Sequence, residues 1–305
     1  MPTQPRRMRL IALVLFLSII PAAAHAQQEP PVFRAGAAAS NITPPLGQPI
    51  IGGWRPVPGE HVHDELRVRC LVLDDGETRL AFAAADNLGL PAGVCAAARR
   101  GIAENTGIPA DRVLVCATHT HSAATARGDH GMAPSGNFDE YQAFIVSRIV
   151  DGVQRAINNL EPARVGWGAA REPGQVFNRR WHMEPGDELR NPFGGMDHVR
   201  MNPPRGHAGL IKPAGPTDPE VGFLAVQSLD GRPIAVLANY SLHYVGGGAA
   251  NAYSADYFAM FADALQERLD ADRLSPPFVG IMTNGTSGDI NNIDFTQKSR
   301  PKYAP

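Results

Sequence analysis

Three cysteines in 305 residues, Cys70, Cys95 and Cys116, are an odd and sparse set, which excludes a disulfide framework. Cys70 and Cys116 stand in apolar, strand-like runs and read as buried small hydrophobes. Beyond residue 26 no stretch is apolar enough to cross a bilayer, which takes about 20 residues. No basic stripe is present and the formal net charge is −2, so nucleic acid is not expected as a partner. Internal repeats, a collagen period and low-complexity tracts are absent too. With 44% hydrophobic and 19% charged residues, the balance is that of a globular chain rather than a disordered one. The length allows one large domain or two small ones.

Glycine and proline are abundant, together 58 of 305 residues or about 19%, against ~12% in average chains. Eight prolines and seven glycines fall in residues 171–220, which are expected to form a long lid or binding loop. Phe177, Trp181 and Phe193 within it argue against disorder. Residues 1–26 read as a secretory signal peptide. Arg6, Arg7 and Arg9 precede the apolar run 10–20, and Ala24-His25-Ala26 supplies the small-x-small cleavage pattern. That run is too short for a membrane anchor. The remaining 27–305 are expected to be exported, secreted or periplasmic, and loss of three arginines takes the net charge from −2 to −5.

Apolar runs of six to eight residues predict strands over 67–73, 79–85, 112–118, 163–168, 221–228, 233–240 and 278–283. Helical periodicity marks 92–105, 138–160 and 255–270. The middle helix carries a stripe from Phe138 through Ile145, Ile149 and Val153 to Leu160, with Asn137 as its expected cap and Glu140 at the capping-box position. Ser254 is the expected start of the last helix. This alternation predicts an α/β fold, a layered domain with mixed β-sheets flanked by helices.

The chemistry concentrates where strands end. The strand over 112–118 runs into His119-Thr120-His121. Alternation along an extended chain would point both rings to one side, about 6–7 Å apart. They would then share one metal, or one would bind while the other served as acid or base. Two hydrogen-bonded histidines at a strand end is the plainer alternative. The strand over 233–240 also emits a histidine, His243, and the one over 278–283 runs into Asn284-Gly-Thr-Ser-Gly-Asp-Ile-Asn291. Asp86 follows its strand in the same way. Open α/β sheets place ligand sites at such ends, so convergence of these groups predicts a metal or acid/base site.

Thr118-His-Thr-His-Ser122, the strand ending in His243, Asn284-Gly-Thr-Ser-Gly-Asp-Ile-Asn291, the opening Gly36-Ala-Ala-Ala-Ser-Asn-Ile-Thr43 and Asn178-Arg179 together resemble the neutral/alkaline (non-lysosomal) ceramidases. The resemblance spans roughly residues 34–295, with the motifs in that family's order. It implies a zinc amidase that hydrolyses the N-acyl bond of ceramide or a related N-acyl compound, a small-molecule or lipid amide that brings the protein to a membrane surface. By the same resemblance His119 and His243 are the zinc ligands. His121 is the histidine beside the scissile amide, and Arg179 helps to hold the substrate.

Two departures qualify the match. Asn291 stands where the family has its nucleophilic serine, and an amide cannot serve that role. The family's glutamate and tyrosine zinc ligands lie downstream of this motif, so residues 27–305 are expected to be an incomplete catalytic domain. Asp86, His63 or Asp256 are candidates to complete the ligand set. Two further readings stay open: a zinc hydrolase for another polar amide, met by Arg179, Arg180, Arg190, Arg200 and Arg205, and an exported binding protein that has lost the serine.

Overall fold

The computed structural model describes residues 32–53, 55–127, 138–186, 189–244 and 251–299. The chain divides into residues 1–30 and 31–305, and all described residues belong to the second unit. The leader-like residues 1–26 and Asn137 lie outside the described residues.

Strands longer than two residues are, in chain order, β1 (Arg34–Asn41), β2 (Arg67–Asp74), β3 (Arg79–Ala85), β4 (Val113–Ala117), β5 (Glu161–Arg171), β6 (Arg180–Met183), β7 (Val199–Met201), β8 (Leu210–Pro213), β9 (Glu220–Ser228), β10 (Pro233–Tyr240) and β11 (Val279–Asn284). The helices are α1 (Ala92–Thr106), α2 (Glu140–Asn158) and α3 (Tyr257–Arg268). Eight strands form one mixed sheet in the order β11-β10-β9-β5-β1-β2-β3-β4. Its β3/β4 and β10/β11 pairs are parallel and the others antiparallel. The α/β fold with a mixed sheet agrees with the patterning. None of the described helices is long and apolar enough to cross a membrane.

The sheet is one only by its hydrogen bonds. At its middle, β1 and β5 share just the pairs Arg34↔Pro162 and Ala35↔Glu161. On either side of this short ladder the two halves turn face to face. Ala35, Ala37, Leu71 and Ala84 of one half pack on Ala163, Val226, Ala235, Val279 and Ile281 of the other. The opposite face of β1–β4 carries Ala38, Val68, Cys70, Val72, Ala83 and Val115 against Val94, Ile102, Ile145, Ile149 and Val153 of α1 and α2. On the far side, Phe258 of α3 packs with Ala238, Tyr240 and Met282. Four layers result: α1 and α2, then one half-sheet, then the other, then α3.

Strand β1 was not legible as a strand, because Gly36-Ala-Ala-Ala is a poor strand former. Its small residues follow from burial on both faces. A Cβ on Gly36 would stand 2.2 Å from the Ala156 carbonyl oxygen of α2, so only glycine lets that helix approach so closely. Two helix starts also shift. Asp139, not Asn137, caps α2: its side chain accepts the Gln142 N–H at 2.7 Å, and Gln142 returns the bond at 3.1 Å. The capping-box partner is therefore Gln142 rather than Glu140. Helix α3 opens after Asp256, without a side-chain cap, instead of at Ser254.

Residues 171–220 correct a larger expectation. The stretch is not a structureless loop but folds into β6–β8, a separate sheet in the order β7-β6-β8. Trp181, Met183 and Leu189 pack with Phe295 on one of its faces, so the proline and glycine content serves tight turns rather than a long irregular lid. Cys70 is fully buried, Cys116 is partly buried, and all three thiols are free.

One buried ion pair ties the first half-sheet together at the site end. Arg69 of β2 donates to Asp86, just past β3, at 2.5 Å, and both side chains are almost wholly enclosed. Asp86 also accepts the Arg67 N–H at 2.9 Å. Replacing Asp86 with alanine leaves Arg69 uncompensated, a loss of about 3–5 kcal/mol. Urea unfolding of D86A should show that loss, and the R69M/D86L pair, which removes both charges, should recover more than half of it.

Candidate metal centre

The site forms where β4 of one half-sheet and β10 of the other reach the same end of the molecule. Past β4, the Thr118 N–H donates to the Ala85 carbonyl and the His119 N–H to the Asn87 carbonyl, each at 2.9 Å. The strand has ended by then. His119 takes a φ of +69°, a left-handed conformation that costs a non-glycine residue about 1 kcal/mol or more. The two histidines converge through this turn, not through alternation on a strand as the sequence implied. Thr120 between them is buried, and its hydroxyl donates to the Ser254 carbonyl at 2.8 Å.

Each ring of the motif is fixed from behind. His119 Nδ1 lies 2.6 Å from the Leu88 carbonyl, and His121 Nδ1 lies 2.6 Å from that of Gly52. A carbonyl only accepts, so both Nδ1 atoms carry the proton and both Nε2 atoms present a lone pair. A Cβ on Gly52 would fall 1.7 Å from the His121 carbonyl oxygen, which reserves that position for glycine. These two carbonyl partners left no mark in the sequence, since every residue carries one. The pair Gly52-Gly53 was the available signal for a close backbone approach.

His243, three residues past β10, completes the cluster. Its Nε2 lies 2.9 Å from His121 Nε2, which in turn lies 3.3 Å from His119 Nε2. The ring centroids are 4.9–5.1 Å apart. Two nitrogens that share a tetrahedral zinc at about 2.0–2.1 Å stand roughly 3.3–3.4 Å apart. The donor set therefore fits a metal ion of the imidazole-preferring kind. Among the described residues this trio is the histidine, cysteine and carboxylate group close enough to hold one.

Arg179, between Asn178 and β6, reaches the same place. Its Nη1 donates to His243 Nδ1 at 2.9 Å and its Nη2 to the Gly288 carbonyl at 2.6 Å, while its own N–H donates to the Asp289 carbonyl at 2.8 Å. It thus clamps the 285–291 turn to His243. This bond also directs the proton of a neutral His243 to Nε2, where it can be donated to His121. Two rings are set to ligate, and the third becomes so when Arg179 releases it. Asn291 pairs with Phe177 in a two-residue ladder. It is buried, with an Oδ1 that has no partner.

The other acidic groups and His63 stand outside the trio. Asp86 is bound to Arg69 and the Arg67 amide. Exposed His63 pairs with Asp64 at 2.8 Å. Asp289 accepts from Asn178 Nδ2 at 3.0 Å. Asp256 stands behind the motif beside Thr120, with one carboxylate oxygen buried and unpartnered, and burial together with nearby Asp64 raises its pKa to about 6. None of the four joins the trio.

Burial lowers the pKa of His121, aided by His119 and Arg179 and opposed by the Gly52 carbonyl. Burial, then Arg179 and the two other rings, lowers that of His243 to about 4. With its folded value below the ordinary 6.5, the unfolded chain binds this proton first, so folding stability is full above pH 6.5 and lost as pH falls toward 4. NMR titration of the metal-free protein should show one imidazole neutral down to about pH 4. A guanidinium so near the His243 ring opposes a dication. Chelator competition should accordingly find zinc bound roughly tenfold more tightly by R179A than by the parent chain.

No family model matches the sequence. Two solved structures of similar fold are ceramidases. One, described as ceramidase complexed with C2, superposes with a TM-score of 0.62 at 19% identity, over 86% of this chain and 39% of the other. The neutral ceramidase of Pseudomonas aeruginosa superposes at 0.63 with 20% identity, over 88% and 41%. This chain spans about two fifths of the length of those ceramidase chains. Over the part that aligns, it has the neutral ceramidase fold.

Proposed function

We propose that the chain carries the metal site of a zinc-dependent amide hydrolase acting on an N-acyl compound, with a lipid amide such as ceramide as the leading substrate. The observation that carries this reading is the meeting of His119, His121 and His243 at the joined strand ends of a ceramidase-like fold. Support for a lipid amide comes from two solved neighbours that are ceramidases. Such a substrate brings the protein to a membrane surface. Export belongs to the same proposal and rests on the leader-like composition of residues 1–26.

In this reading His119 and His243 hold zinc, which supplies Lewis acidity toward an amide carbonyl. The Leu88 carbonyl keeps the His119 ring in its ligating tautomer. His121 moves the proton. Its Nδ1–H is tied to Gly52, so only Nε2 faces the site, and its lowered pKa keeps that nitrogen free to accept a proton and return it to a leaving amine. Arg179, freed from His243, offers its guanidinium to the substrate oxygen. Asn291, at the position of the family's serine, supplies no nucleophile, so in this reading water is the attacking group.

Asn291 also favours a second reading, in which the chain binds an N-acyl ligand without turnover. Zinc content and hydrolysis of a fluorogenic N-acyl amide separate the two. His119→Ala and His243→Ala should each lose both metal and activity. His121→Ala should keep close to the parent zinc content and lose activity by about 10²–10⁴-fold. Loss of zinc in His121→Ala would make that residue a third ligand. Metal without hydrolysis in the parent chain would favour the binding protein.

A further inference from the structure

We propose that the β6–β8 lobe docks the protein on an anionic lipid bilayer, with Phe193 as the side chain that enters it. The proposal rests on the lipid-amide reading and gives that site a way to meet its substrate. Between β6 and β7 the chain makes a tight turn closed by the pairing of Arg190 with Met196. Asn191 organises it. Its side-chain oxygen accepts the N–H groups of Phe193 at 3.1 Å and Gly195 at 2.9 Å, and its amide donates to Asp197 at 3.0 Å. Its backbone exchanges bonds with Gly194 and Gly195, and Gly194 takes the positive φ of 85° that the turn needs.

This ordered turn does not fold its aromatic ring inward. Phe193 is 96% exposed, and Met196, directly after the two glycines, is 52% exposed. A rigid tip that displays a phenylalanine forgoes the gain of burying it unless something outside receives it. A protein partner would call for a broad contiguous apolar patch. A ring protruding at a hairpin tip, on a lobe that also exposes Met196, Met201 and Ile211, suits the fluid boundary of a bilayer, where aromatic side chains collect. Charge points the same way. From Leu189 to Pro213 the sequence has Arg190, Arg200, Arg205 and Lys212 against Asp197 alone. The balance stays positive with the preceding Asp187 and Glu188 included, in a chain of net charge −2. Basic residues on the lobe that carries an inserted ring favour anionic headgroups.

The lobe also grows out of the metal centre. Strand β6 begins at Arg180, one residue past the arginine on His243, and the Asn202 N–H after β7 donates to the Arg179 carbonyl at 2.7 Å. A bilayer that held the tip would hold the lipid near the root of the same sheet.

The test is sedimentation of the full chain with vesicles of phosphatidylcholine, alone or mixed with phosphatidylglycerol. The parent protein should bind the mixed vesicles and be weakened by salt, and Phe193→Ser should bind at least about tenfold less. Phe193→Trp should bind like the parent and shift its emission to the blue on vesicle addition. Equal binding by F193S, unmoved emission of F193W, or no binding by the parent would overturn the proposal. So would a dimer, seen by light scattering, that F193S dissolves. Zinc content is measured alongside: vesicle binding by a protein that takes up no zinc would sustain the lobe's role while removing the hydrolase.

Discussion

Two half-sheets lie face to face across one apolar layer of alanine, valine, leucine and isoleucine, and that stacking places everything else. Ala35, Ala37, Leu71 and Ala84 of one half meet Ala163, Val226, Ala235, Val279 and Ile281 of the other. Strands β4 and β10 belong to opposite halves, yet their ends come close enough for His121 and His243 to touch at 2.9 Å. A wider interface would separate the rings beyond the reach of one ion. Packing of this kind is felt at the scale of a single methylene, so the interior of the sandwich sets the geometry of the site at its rim.

The rim is then held by backbone rather than by side chains. Ala85, Asn87 and Leu88 give their carbonyls in succession to the Thr118 amide, the His119 amide and the His119 ring. The buried Arg69–Asp86 pair anchors the same segment to β2. Gly52 does for His121 what Leu88 does for His119. His243 differs, since the Arg179 guanidinium faces its Nδ1. Charge on Arg179, the tautomer of His243 and affinity for a cation are thereby one coupled quantity.

Much of this was legible beforehand because apolar runs of strand length report burial directly. β2, β3, β4, β9, β10 and β11 needed nothing beyond the pattern of Val, Leu, Ile and Ala, and His119, His121 and His243 stood out as polar groups past the ends of β4 and β10. The failures have physical causes. Strand β1 is built of small residues because a helix and a second sheet crowd it, and small residues carry no strand signal. The His-x-His spacing implied alternation, but a positive φ at His119 does the work. In residues 171–220 proline and glycine mark the turns of a compact sheet, since strands of three or four residues are too short to show a period. Carbonyl partners such as Gly52 and Leu88 are invisible by nature.

The central claim is that imidazole nitrogens from both half-sheets bind one metal ion. Zinc-edge X-ray absorption on the full chain loaded with one equivalent tests it without reference to any substrate. The account predicts nitrogen neighbours at about 2.0–2.1 Å with the outer-shell scattering of imidazole, lost in the doubly substituted H119A/H243A protein. Sulfur neighbours at about 2.3 Å, or an oxygen shell unchanged by those substitutions, would contradict it.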